Sequence, residues 1–283
     1  MNDALGDRMK MYEMAEAGRK FMPLLPIVAR IDGRKFSSFT SGLRRPYDVD
    51  LQACMIATCD HLVRHTGAVM GYTQSDEITL AWYSDSLKKQ LWFNGRISKM
   101  TCHLAAQATL FFYREVCKRL PPKYAEKLPT FDARVWQVPN FEEAANVFLW
   151  REWDATKNAI TMAAHEFYST KELHGKNGRE RIELLFQKGV RFSDYPASFR
   201  RGQFIQRRVL NTPFTAEELA ELPPKHKAHT DPSLVVSRSR IVHVDMPIFG
   251  TVLNRADVIF NGALPQTEGP EALVMSEVRM NDM

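Results

Sequence analysis

Leu24-Leu25-Pro26-Ile27-Val28-Ala29-Arg30-Ile31-Asp32-Gly33-Arg34-Lys35-Phe36 is an apolar run that closes on an acid, a glycine and two bases. It reads as a buried strand over roughly 25–31 leading into Asp32, because unpaired charge is costly in a core and collects where a strand reaches an edge. A second join of this kind is Gly71-Tyr72-Thr73-Gln74-Ser75-Asp76-Glu77, between Ala68-Val69-Met70 and Ile78-Thr79-Leu80-Ala81-Trp82. Two acids at strand ends on one sheet edge are what a two-metal phosphoryl-transfer site requires. Mg²⁺ takes hard oxygen ligands, keeps several waters and shares the rest of its shell with phosphates. The pairing points to nucleotidyl transfer.

Outward from these joins, the pattern builds a recognisable order. Residues 5–20 form an amphipathic N-terminal helix that Gly18, Pro23 and Pro26 end. After the loop at Gly42 and Arg44-Arg45-Pro46, Asp48 or Asp50 caps a helix through Leu51, Met55, Ile56, Leu62 and Val63, and Gly67 stops it. A hairpin follows over about 68–73 and 77–83, with the acids at its turn. A second long helix runs from near Gly95 to about Lys118. A strand lies near Phe131-Asp132-Ala133-Arg134-Val135-Trp136, and a third helix covers about 141–167. Strand, helix, hairpin, helix, strand is a split βαβ of ferredoxin-like type. The expected fold is α+β: an antiparallel sheet with helices on one face. Residues 1–208 form the catalytic domain and 209–283 an extension packed on it, in which apolar stretches at about 234–244 and 246–260 add strands.

The totals exclude several classes. A chain of 283 residues, 45% apolar and 25% charged, is an ordinary globular protein with a sizeable core. Its net charge of +5 does not by itself demand a nucleic-acid partner. Cys54, Cys59, Cys102 and Cys117 make no C-x-x-C pair, so neither a disulfide framework nor a zinc site is expected. No apolar run approaches the ~20 residues of a membrane span, and residues 1–20 do not read as a signal peptide. The expected location is cytoplasmic.

Each chemical signal has a plainer structural reading. Asp32-Gly33 alone is ordinary turn chemistry. Here, however, helix-competent sequence follows it, so free N–H groups with Arg34 and Lys35 suit a triphosphate. Neighbours on a strand point to opposite faces, so at most one of Asp76 and Glu77 faces Asp32. Asp76 is assigned to the metals and Glu77 to a supporting role, an order the sequence leaves reversible. Arg96 and Lys99 share a helix face that in isolation would be merely solvated. Arg200, Arg201, Arg207 and Arg208, interleaved with Phe199, Phe204 and Ile205, read either as ordinary surface or as a half-buried strand presenting a phosphate-binding strip. No HExxH, G-x-x-x-x-G-K-[ST] or G-x-G-x-x-G sequence is present.

These residues resemble a known family. Arg30-Ile31-Asp32-Gly33-Arg34, Arg45-Pro46, Gln74-Ser75-Asp76-Glu77, Arg96-Ile97-Ser98-Lys99, Phe131-Asp132-Ala133-Arg134-Val135, Trp150-Arg151 with Asp154 and Asn158, and Phe199-Arg200-Arg201-Gly202 are similar in order and spacing to the tRNA(His) guanylyltransferases, over roughly residues 5–208. The resemblance implies a polymerase-like palm working in the 3′→5′ direction on the 5′ end of tRNA. ATP or GTP would activate the 5′-phosphate, and the 3′-hydroxyl of an incoming GTP would attack it. It implies that Asp32, the Gly33 carbonyl and Asp76 hold two Mg²⁺ ions. Gly33, Arg34, Lys35, Phe36 and Ser37 would cradle the incoming triphosphate, and Arg45, Ser75, Arg96 and Lys99 the activating triphosphate or the 5′ end. Arg181, Arg200 and Arg201 match basic positions near the RNA, and a homo-oligomer is implied; Lys157, Asn158, Arg207 and Arg208 are assigned to RNA beside them. The chain departs from the family at Ser37, where a histidine is expected, at Tyr47 (asparagine) and at Arg181 (lysine). It also has Thr156-Lys157-Asn158-Ala159 for His-Ile-Asn-Asn. These changes look more like the branch that repairs 5′-truncated RNA by template pairing. A palm-fold nucleotide cyclase or signalling-nucleotide synthase is the alternative.

Overall fold

A computed structural model describes residues 3–88 and 91–267, so residues 268–283 of the expected extension lie outside it. In chain order the elements are α1 (Ala4–Ala17), β1 (Ile27–Gly33), α2 (Phe36–Phe39), α3 (Val49–Thr66), β2 (Met70–Gln74), β3 (Glu77–Trp82), α4 (Ile97–Arg119), α5 (Pro122–Ala125) and β4 (Phe131–Gln137). There follow α6 (Phe141–His165), α7 (Thr170–Leu173), α8 (Gly178–Gln187), α9 (Ala197–Arg201), β5 (Gln203–Pro213), α10 (Ala216–Glu221), β6 (Val235–Val244) and α11 (Arg255–Asn261). The sheet order is β4-β1-β3-β2-β5-β6, with every pairing antiparallel. Its first four strands are the ferredoxin-like set, and β5 and β6 extend it beyond β2. β5 runs unbroken across residues 208 and 209, where the sequence reading divides catalytic domain from extension.

Local chemistry sets the helix ends. The Asp48 side chain accepts from the Asp50 and Leu51 amides to start α3, and Gly67 at φ +70° ends it. Asn140 caps α6 through the Glu143 amide.

The sheet is covered on both faces, which corrects the expectation of helices on one. Ile27, Ala29 and Ile31 of β1 join Ile78, Leu80 and Trp82 of β3 against Cys54, Cys59 and Leu62 of α3 and Met100, Leu104 and Phe112 of α4. The alternate residues Val28, Met70, Tyr72 and Ala81 pack on Ala144, Ala145, Phe148 and Ala155 of α6, with Phe249 and Val258 beyond. With both faces apolar, the strands read as continuous hydrophobic runs and do not declare a second layer. Two further expectations change. Residues 246–260 supply no strand; they form a 3₁₀ turn and α11. Residues 197–201 are helix, and Gly202 at φ +77° turns the chain into β5.

Candidate active site

Register places the acids. Asp32 lies directly opposite Glu77 on β3 and opposite Asp132 on β4, so three carboxylates line up on the face that α6 covers. Asp76 sits in the β2–β3 turn, whose backbone carbonyl accepts from the Gly33 amide at 3.1 Å. Left-handed non-glycine residues flank the acids, Lys35 at φ +55° and Ser75 at φ +48°, a kind of local strain that clusters at functional sites.

The acids differ in their partners. Glu77 is tied down: Arg151 and Gln74 donate to one of its oxygens, the latter at 2.8 Å, and Arg30 Nε is 3.5 Å from the other. Among the described residues no donor reaches the Asp32 carboxylate. Burial, then Glu77 and Asp132, push its pKa up against the opposing Arg30 and Arg134. Asp76 accepts from Ser75 Oγ at 3.1 Å, yet burial raises its pKa to about 6, with Asp32 and Glu77 adding to the rise. Among the described residues no cluster of three or more His, Cys, Asp or Glu side chains has metal-holding geometry. Two under-satisfied carboxylates beside the Gly33 backbone still form an all-oxygen donor set. That set fits a hard divalent cation whose shell is completed by water and phosphate.

The loop after Asp32 rests on an aromatic floor. The Phe36 ring is buried against Phe39, Phe112 and Phe131 at centroid separations of 5.0–5.4 Å. Its side chain therefore faces the core, leaving only its backbone for a nucleotide. Arg34, Lys35 and Ser37 are exposed, as are Arg45 and Lys99. Arg96 is the residue preceding α4, its backbone bridged to Lys20, so it sits beside the first turn of the helix and not within it. Ser75 lines a cavity of about 90 Å³ with Tyr47, Asp48, Gln52, Asn158 and Phe199, and Tyr47 stacks on Phe199 at 4.8 Å.

Comparison with known proteins identifies the family. The tRNAHis guanylyltransferase family matches residues 6–139. An uncharacterized protein of Acanthamoeba polyphaga mimivirus is 30% identical, over 75% of this chain and 80% of its own. A bacterial tRNA(His) guanylyltransferase-like protein solved with ATP is 36% identical at a TM-score of 0.67, covering 72% of this chain and 87% of its own. The chain belongs to the tRNAHis guanylyltransferase family. The Saccharomyces cerevisiae tRNA(His) guanylyltransferase structure superposes less closely, at TM-score 0.60 and 25% identity over 72% of this chain and 95% of its own. Members of the family are nucleotidyltransferases, and this chain is one.

Within that family frame, the expected RNA contacts are dispersed. Arg200 lies on α9 and lines a cavity of about 370 Å³ with Arg191 and Thr156. Arg201 is turned inward, 3.6 Å from the buried Glu152 and within reach of the Met246 carbonyl. Arg207 and Arg208 lie at the opposite end of the sheet, where Arg207 N bonds the Val69 carbonyl, and as strand neighbours they face opposite sides. The four arginines therefore form no single strip. Arg181 is committed to Thr161 Oγ1 at 2.6 Å and the Leu173 carbonyl, between α6 and α8. Lys157 is exposed on α6, and Asn158 reaches the cavity beside Ser75. Sequence reasoning gave Asp132 and Arg151 no role. Asp132 carried a usable signal, since Phe131-Asp132 is another acid at a strand edge.

Proposed function

We propose that the protein adds a nucleotide to the 5′ end of tRNA in the 3′→5′ direction, with two Mg²⁺ ions held by Asp32, Asp76 and the Gly33 carbonyl. The observation that carries this reading is the Asp32 carboxylate, to which no described residue donates, beside the Asp76 turn. In the first step the 5′-phosphate of the RNA attacks the α-phosphorus of ATP or GTP, and pyrophosphate leaves. In the second, the 3′-hydroxyl of GTP attacks the activated 5′-phosphate, and a nucleoside monophosphate leaves. Bound metal would neutralise the developing phosphoryl charge and sharpen the attacking oxygen. Arg34, Lys35, Ser37 and the backbone of 33–37 hold the incoming triphosphate; Arg45, Ser75, Arg96 and Lys99 hold the activating one. Bacterial guanylyltransferase-like relatives are solved in complex with ATP and with GTP, which supports both nucleotides as ligands here.

Lys157, Asn158 and Arg200 contact RNA on this reading. Family membership weighs against a cyclase or signalling-nucleotide synthase. The departures at Ser37, Tyr47 and 156–159 favour templated 5′ repair over strict tRNA(His) choice. A cytosolic homo-oligomer completes the proposal. The test is incubation with labelled 5′-monophosphorylated tRNA, Mg²⁺, ATP and GTP. Extension by one nucleotide is expected, whereas a cyclic or dinucleotide product formed without RNA would overturn the reading.

A further inference from the structure

Arg151 carries a buried charge at 4% exposure, where an unpaired guanidinium would be strongly unfavourable. It is clamped from two sides. One Nη donates to both Glu77 and Asp154, the latter at 2.9 Å, and the guanidinium lies 4.4 Å from the centroid of the Trp150 ring. Arg30, 5.6 Å from the same ring, reaches the other Glu77 oxygen. The α6 segment Trp150-Arg151 thus holds Glu77 toward the helix. Glu77 stands directly across from Asp32 on the same face. At that register opposed Cβ atoms are typically about 5 Å apart, within easy reach of a freed glutamate.

We propose that Arg151 is a positioning residue: by holding Glu77 on α6 it keeps that carboxylate off the divalent ions that Asp32 and Asp76 bind. This rests on the metal reading of those two acids. A site with two free carboxylates keeps positions for substrate phosphates. A third carboxylate swinging in would bind the ion more tightly and take one of those positions.

The experiment measures Mn²⁺ binding to the full-length protein by electron paramagnetic resonance, without nucleotide. Wild type is expected to bind, and Asp32→Asn with Asp76→Asn to abolish binding; no binding by wild type would overturn the metal reading and this proposal with it. Given wild-type binding, Arg151→Gln is expected to bind Mn²⁺ about tenfold more tightly, because added ligand charge tightens oxygen sites. Arg151→Gln with Glu77→Gln should return to wild-type affinity. Arg151→Gln with Glu77→Asp should also lose the gain, because the shorter side chain keeps the negative charge, and with it any change of field, but cannot reach the ion as glutamate does. A gain that survives in Arg151→Gln with Glu77→Asp, or unchanged or weaker affinity in Arg151→Gln, overturns the proposal. Should that variant fail to fold, Arg151→Lys keeps the buried charge without the fork. An intermediate gain is expected from it, and wild-type affinity overturns the proposal.

Discussion

Gly33 lacks a side chain because Phe36 fills the space one would need. A Cβ at 33 would lie 2.3 Å from the Phe36 ring, and that ring is wedged among Phe39, Phe112 and Phe131. Gly33→Ala should therefore destabilise the protein by roughly 1–3 kcal/mol, as overpacking of a filled core does. It should also displace the loop that follows Asp32. The shift in urea midpoint measures the first effect, and a midpoint equal to wild type would show that the ring has room to move. At this scale the meeting of Asp32 and Asp76 at one sheet edge was legible in the sequence, because an acid beside an apolar run collects where a strand reaches an edge. The division of labour between Asp76 and Glu77 was not. The difference in their partners follows Arg151, which lies 74 residues from Glu77 along the chain and stood in the sequence as part of a family motif with nothing to name Glu77 as its partner.

Among elements, α6 does the most to join parts of the molecule. Its consecutive residues Arg151 and Glu152 point to different partners, the first to Glu77 and the second to the C-terminal segment. Glu152 accepts from the Phe249 amide at 2.8 Å and lies 3.6 Å from Arg201, an ion pair too long for a hydrogen bond. Burial raises its pKa to about 7 against the lowering effect of Arg201 and the Phe249 and Gly250 amides. Between the ordinary glutamate value and about 7, the folded state binds more protons at this site than the unfolded chain. The stability associated with Glu152 is thus full at low pH and is lost as pH rises toward 7. Glu152→Gln should flatten the fall in melting temperature between pH 5 and 7, and an unaltered slope would place that fall elsewhere. The order of strands and helices was readable because hairpin and helix periods differ. The second helical layer and the helical turn at 197–201 were not. Doubly buried strands lack alternation, and a five-residue helix is too short to show a period.

For the whole molecule, sheet register separates the basic residues that adjacency in sequence had joined. Gln203 pairs with Thr73 near the carboxylates, while Gln206 pairs with Met70 at the far end. Arg200 thus lies toward the active site and Arg207 away from it. Arg200→Gln should weaken tRNA binding and reduce the salt slope by about 0.7–0.9, the value of one RNA phosphate left unneutralised. Arg207→Gln should leave both unchanged. Equal effects in the two variants would mean that RNA crosses the whole sheet.

The most direct measurement is single-turnover nucleotide addition by Asp32→Ala, Asp76→Ala and Glu77→Gln, with folding checked by circular dichroism. Removing a carboxylate of the ion-binding pair should slow transfer by roughly 10³-fold or more, since several kcal/mol of charge stabilisation go with it. Glu77→Gln should slow transfer less than either alanine variant. Near wild-type rates in Asp32→Ala or Asp76→Ala, or a Glu77→Gln defect larger than theirs, would contradict the account.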